Sequence, residues 1–356
     1  MSKKHRNSPL FYTENRDSDI QLHLDKLHSH NSTLVKINQI VDWNIFLPIV
    51  QSCRPQHNPD EGGRPRFDDT LMLKILVLKG LYNLSDEQAE LQIRDRLSFR
   101  EFLNLKLSDK VPDEKTIWLF ADTLAKEDAG KHFFEMFLDH IQRKGIKLTS
   151  GKIIDSSFVE VPVQRNSREE NAQIKRGETP QRFTDNPNVG RQKDVDARWG
   201  AKGDKQFFGY KTHDIVDSQT LIITDYVVTD ASVYDGNVAI DLIPQEPAVK
   251  DEAFYGDSAF LGSERNPIQE VLVERGFTPM ICERPYRNKE LSFGQRMLNQ
   301  VKSRVRCRVE HVFGWQKSRM GNEVLRSIGG VKAEFWIGIR NWCNNICRSV
   351  KLLDVD

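Results

Sequence analysis

Between Leu34 and Gly145 the apolar residues recur at helical spacing. Val35, Ile37, Ile40, Val41, Ile45 and Phe46 predict a helix within Leu34 to Val50, ended by Pro55 and the segment from Asn58 to Pro65. Leu71, Ile75, Leu78 and Tyr82 fall at i, i+4, i+7 and i+11, one face of a second helix that Asn83-Leu84 breaks. Ser85 with Gln88 three residues on has the form of a capping box and opens a helix through Leu91, Ile93 and Leu97. Pro112 and the acidic pair Asp113-Glu114 suit the start of another, carrying Ile117, Phe120, Ala121 and Leu124. Phe133, Met136, Phe137 and Ile141 mark one more, stopped by Gly145. Residues 68–145 therefore read as a module of short, closely spaced helices.

After Gly145 the period shortens from about 3.6 residues to 2. Lys152 to Val163 is rich in Ile and Val, and Phe207 to Val216 and Leu221 to Val228 read as a hairpin turned at Asp217-Ser218-Gln219. Tyr234 to Ile243 reads as a helix, Glu252 to Tyr255 as a short strand, Ile268 to Glu274 as a helix ended by Gly276, and Phe277 to Cys282 as a strand. Three strands followed by alternating helix and strand predict an α/β fold, a mixed sheet with helices on both faces. The polar segment Arg165 to Lys205 interrupts the strands with ten basic and seven acidic residues. It is too long for an ordinary connection, and reads either as a surface loop or as a basic arm ordered by nucleic acid.

Composition adds limits. The 356 residues, 29% of them charged and 38% hydrophobic, are enough for two domains and a sizeable core. No apolar run reaches the roughly 18 residues of a membrane span, since the greasiest window, Leu71 to Tyr82, is broken by Lys74 and Lys79. The first residues have no hydrophobic signal core, and the five scattered cysteines read as reduced thiols, so a cytoplasmic protein is expected. Residues 1–32 are polar, hold His5, His23, His28 and His30, and read as an N-terminal arm.

Net charge is only +1, but its distribution is uneven. From Tyr286 to Arg319 nine Lys or Arg, Arg304, Arg306, Arg308 and Lys317 among them, stand against two acids, Glu290 and Glu310. Such a strip suits contact with a phosphate backbone, the alternative being a solvated helix face. Arg306, Glu310 and Lys317, at i, i+4 and i+11 of one long helix, would share a face. Two further acids follow apolar strand residues: Asp155 after Ile153-Ile154, and Asp257 after Phe254-Tyr255-Gly256. A carboxylate adjoining a buried strand is costly unless paired or bound to a cation. If those strands are parallel neighbours, Asp155 and Asp257 meet at one edge, where Glu310 can join them. Three such oxygen ligands suit Mg²⁺ or Mn²⁺, and two ions together can drive in-line displacement at phosphorus.

These residues carry a resemblance. VDWNIFLPIV, GRPRFDDTLMLKILVLKGLYNLSDEQAELQIRDRLSFREFLNL and VPDEKT in the helical half, then IIDSSFVEVP, FFGYKTHDIVD, TDASVYDG, YGDSAFLG and RCRVEHVFGWQK, are similar to blocks of the DDE transposases of the insertion-sequence-5 family. The likeness runs from about Leu34 to Leu352. Asp155, Asp257 and Glu310 match the three acids, and Arg306 and Lys317 match the Arg and Lys of the third block. Its usual Tyr is replaced by Ser303.

The resemblance implies a ribonuclease H-like catalytic domain over 149–352, with the polar insertion at 165–205, preceded by a helical domain over 33–148. It implies that Asp155, Asp257 and Glu310 bind two Mg²⁺ or Mn²⁺ ions and cut transposon ends to free 3′-OH groups that are joined to target DNA. Arg306, Lys317, Lys211, His213, Arg304 and Arg308 would lie near phosphates. The expected partners are double-stranded DNA, as terminal inverted repeats and target, and further copies of the chain in a dimer or higher assembly. No membrane is involved, and the setting is the bacterial cytoplasm at the nucleoid. Two rivals remain: a nuclease of this fold without strand transfer, and a non-catalytic DNA-binding protein. The helices of 68–145 serve end binding, dimerisation or both.

Overall fold

The computed structural model describes residues 22, 24–26, 32–54, 65–245, 247–249, 252–263, 266–286, 289–321 and 324–353. The four N-terminal histidines lie outside them. Ser32 Oγ accepts the Val35 N–H and opens α1 (Thr33–Ile40). Extended backbone at Val41 then leads to an Asp42-capped 3₁₀ turn (Trp43–Phe46) and to α2 (Leu47–Cys53). The one helix expected here is thus two, bent so that Trp43 and Phe46 both reach the core.

α3 (Asp69–Tyr82) starts on the Asp68 cap and is buried from Leu71 to Leu81, Lys74 and Lys79 included. These lysines are tolerated because Lys74 Nζ donates to Phe102 O at 3.1 Å and Lys79 pairs with Asp86. Asn83, in the left-handed region at φ 49°, ends the helix. α4 (Asp86–Asp95) follows on the expected Ser85 cap, then α5 (Leu97–Phe102), α6 (Glu114–Lys126) on an Asp113 cap, and α7 (Ala129–Arg143).

The second half runs β1 (Lys152–Glu160), α8 (Arg168–Lys175), α9 (Gln181–Asp185), α10 (Pro187–Gly190), β2 (Arg198–Lys202), β3 (Lys205–Asp217), β4 (Ile223–Asp230), α11 (Asp235–Leu242), β5 (Ala253–Gly256), α12 (Ile268–Glu274), β6 (Thr278–Ile281), α13 (Phe293–Arg306), α14 (Val309–Arg319) and α15 (Gly330–Leu352). β3 lies antiparallel to β1 and to β4, and β5 lies parallel to both β1 and β6. The resulting order, β4-β3-β1-β5-β6, is the ribonuclease H-like arrangement. Alternate positions of β3 reach helices on opposite faces: Lys211 pairs with Asp235 of α11, whereas Asp214, three residues on, meets Asn341 of α15.

Two expectations are corrected. The polar segment 165–205 is not a structureless excursion: it takes three short helices, and β2 pairs with the start of β3 to make a sixth strand. Local bonds account for this. Ser167 and Glu170 form a capping box, and the buried Asp194 accepts from the Tyr210 hydroxyl at 2.7 Å and from the Gly329 N–H at 3.1 Å. The long basic helix is also broken. At Cys307 and Arg308 bonds of the i+3 type replace the helical ladder, as in Arg308 N to Val305 O and Glu310 N to Cys307 O, both 3.1 Å, so α13 and α14 meet at a kink.

The core is shared between the halves. Trp342 of α15 is fully buried, stacked on Phe133 of α7 at 5.4 Å between ring centroids and edge-on to Phe46 at 4.9 Å. Asn345 of the same helix exchanges two hydrogen bonds with the backbone of Ile223 in β4, at 2.9 and 2.8 Å. α15 therefore joins the sheet to the helical half through buried side chains. A second cluster, with Ile154, Ile215, Phe254 and Leu272, fills the opposite face of the sheet under α11 and α12. None of the described helices is long and apolar enough to cross a membrane.

Candidate active site

β1 and β5 pair in parallel, Lys152 with Phe254 and Ile153 with Tyr255. Asp155 and Asp257 each stand two residues beyond the last pair, so the neighbouring strands bring both acids to one sheet edge. Asp257 Oδ1 caps the 3₁₀ turn Ser258–Leu261 by accepting the Ala259 N–H at 2.8 Å. Asp155 Oδ1 accepts the N–H of Ser156 at 2.8 Å, and its Oδ2 accepts from Arg306 at 3.3 Å. Burial pushes the Asp155 carboxyl up to about 6, and the charge of Asp257 adds to the rise. The Ser156 N–H and Arg306 hold it back.

Glu310 is set differently. It lies in the first turn of α14, just past the kink, and is exposed. Among the described residues no three His, Cys, Asp or Glu side chains are grouped closely enough to hold a metal. The structure thus brings Asp155 and Asp257 together and leaves Glu310 outside the pair. The neighbour of Asp155 from the basic helices is Arg306, at the last turn of α13.

The basic residues divide into two groups. Arg304 and Lys317 are exposed, and Arg308 donates to Gln219 O at 3.2 Å. Lys211 and His213 are buried: Lys211 Nζ donates to Val233 O at 2.7 Å and Asp235 Oδ1 at 2.8 Å, and His213 Nδ1 lies 3.7 Å from the same carboxylate. Burial pushes the His213 imidazole down to about 4, Lys211 acting in the same direction and Asp235 against it, so the ring is neutral at pH 7. In this conformation both side chains are buried against Asp235.

Asp214 is a residue that the sequence pattern did not single out. It faces Asp155 across the β1–β3 ladder and is wholly buried. Thr212 and Asn341, the latter at 3.4 Å, donate to its Oδ1, while Oδ2 has no hydrogen-bond partner. Burial pushes this carboxyl up to about 7, with Asp155 adding to the rise. The available signal was an acid within a strand, directly before the apolar pair Ile215-Val216.

With this geometry in view, residues 147–346, more than half of the chain, match the family described as Transposase DDE domain. The chain belongs to the Transposase DDE domain family. Residues 22–123 match a second family, Transposase domain (DUF772), so the helical half is also of a transposase kind. Among solved structures, a cryo-EM structure of the piggyBac transposase synaptic complex with hairpin DNA is similar over 89% of this chain and 72% of that one, at 11% identity and a TM-score of 0.43. The DDE domain match spans every strand of the sheet and both strand-end aspartates.

Proposed function

We propose that this DDE transposase is of the insertion-sequence-5 kind. It binds the terminal inverted repeats of a bacterial insertion sequence, hydrolyses phosphodiesters at the ends to free 3′-OH groups, and transfers these into target DNA. The observation that carries the reading is the meeting of Asp155 and Asp257 at the ends of parallel strands, with a basic helix pair packed beside them.

The donor set fits hard divalent cations, Mg²⁺ or Mn²⁺: two carboxylates whose charges oppose each other, one of them half-buried and raised in pKa. Asp155 and Asp257 would hold two ions, and Glu310, which stands outside that pair in this structure, would have to move in from the start of α14 to complete one coordination shell. When bound, such ions lower the pKa of an attacking hydroxyl and stabilise the leaving oxygen. The chain's own residues supply the rest. Arg306 fixes the Asp155 carboxylate and keeps it ionised, while exposed Arg304 and Lys317 and the neighbouring Arg308 take phosphates of the end being cut. The protein acts in the bacterial cytoplasm at the nucleoid, as a dimer or higher assembly that holds two ends.

The test is cleavage and joining of a labelled DNA carrying the transposon end, in Mg²⁺, with wild type and Glu310→Gln. Joining by wild type and loss of both steps in the variant is the expected result. Cut products that are never joined would instead mark a nuclease. Binding without cleavage by either protein, in Mg²⁺ and in Mn²⁺, would mark a non-catalytic DNA-binding protein.

A further inference from the structure

Away from the strand-end aspartates, α3, α4 and α6 of the helical half face the segment 325–340 across a cavity of about 420 Å³. Five basic side chains line it. Two are balanced: Lys79 pairs with Asp86, and Lys332 with Asp122 at 2.8 Å. The other three are Arg191, Arg326 and Arg340, and among the described residues none of them has a carboxylate partner. Arg191 and Arg326 are exposed at the rim. Arg340 is buried, at 7% exposure. One of its terminal nitrogens, Nη1, has no hydrogen-bond partner, and the other reaches Asn83 Oδ1 only at 3.5 Å. The Ser327 hydroxyl, which also lines the cavity, is buried without a partner.

A buried guanidinium with an idle donor is costly unless something else accepts from it. Its fork of donors matches the paired oxygens of a phosphate, and the surplus of positive charge fits an anion. Burial and the charge of Arg326 push Arg340 down only to about 10, so it stays cationic at pH 7. Arg340 also borders a narrow cleft shared with Lys317, Thr212 and Ser157, and Ser157 is two residues along β1 from Asp155. The cavity therefore continues, through one side chain, toward the basic helix beside the candidate active site.

We propose that this cavity binds a phosphate of a DNA strand, with Arg340 at its floor and Arg191 and Arg326 at its rim. The inference rests on the DNA reading given above and adds a second anchor for the strand, formed between the helical half and α15. Because α10, which leads into Arg191, belongs to the 165–205 segment, the insertion contributes directly to the anchor.

The experiment measures the affinity of the full chain for a labelled duplex carrying the transposon end, across a salt series, for wild type, Arg326→Ala and Arg191→Ala. Both changes are at exposed positions, and unfolding midpoints without ligand check that the fold is kept. Each variant is expected to bind several-fold more weakly, with a slope of log K against log salt shallower by about 0.9 for each phosphate no longer neutralised. A second arm follows the unfolding midpoint against inorganic pyrophosphate. Wild-type affinity and slope in both variants, while wild type binds the duplex, would overturn the anchor and leave the transposase reading intact. Failure of wild type to bind the duplex would sink that reading and the DNA anchor with it. In that case a pyrophosphate-induced rise in midpoint, lost in Arg326→Ala, would reassign the cavity to a free phosphoanion.

Discussion

Asp155 and Asp214 stand directly opposite each other in the antiparallel β1–β3 ladder, one at the candidate active site and the other sealed beneath α15. Two carboxyls so placed resist sharing negative charge, and both are raised in pKa. Asp214 is the more buried, and its proton is retained to about pH 7.

Stability should register that proton. Below about pH 4 the folded and unfolded chains both carry it; between about 4 and 7 the folded chain keeps it and the unfolded chain has lost it, so stability falls as pH rises. Asp214→Asn is expected to remove this slope, leaving the variant equal to wild type near pH 4 and more stable near pH 7.5, by on the order of 4 kcal/mol. Urea unfolding at the two pH values measures it, and an unchanged pH dependence in the variant would refute the buried-proton account.

Arg306 is expected to set the acid limb of activity. It holds the Asp155 carboxyl below the value that burial and Asp257 would otherwise give. In Arg306→Ala the pKa of Asp155 rises, so a higher pH is needed to ionise it for metal binding, and the pH at which DNA processing sets in should move upward. A pH–rate profile that keeps its midpoint would show that Arg306 acts on phosphates alone.

Asp155→Asn and Asp257→Asn should each lower DNA cleavage by about a thousandfold or more while leaving duplex affinity near wild type. The comparison is a cleavage assay beside a binding assay on the same preparations. Full activity in either variant would remove that residue from the site.

Much of this geometry can be read from residue order. Both segments, the Ile- and Val-containing one that carries Asp155 and the short aromatic one before Asp257, can be recognised as strands, but their parallel pairing stays conditional until the sheet is seen. The kink at Cys307 is not legible in that way, because neither Gly nor Pro marks it. It arises where α13 packs on β5 and β1 and α14 continues along β1. The burial of Lys211 and His213 is also hidden, since it depends on Asp235 arriving from α11, more than twenty residues downstream. β2 lies in a stretch of mixed charge and becomes a strand only because the exposed start of β3 offers it a partner.

Trp342 is expected to hold both halves of the molecule. Trp342→Ala removes its contacts with Phe46 and Phe133 and should cost about 3–5 kcal/mol, still in one unfolding transition. Separate transitions, followed by far-ultraviolet circular dichroism and by tryptophan fluorescence, would mean that the halves fold independently.

The place of α15 also orders events during synthesis. Domains commonly fold as they leave the ribosome, first residues first. Here the helical half cannot close its core until residues 330–352 have been made, because Trp342 fills its centre and Asn345 ties that centre to β4. Completion of both cores is therefore a late, whole-chain event, and a nascent chain cut short before α15 leaves the helical core without its centre and one face of the sheet uncovered.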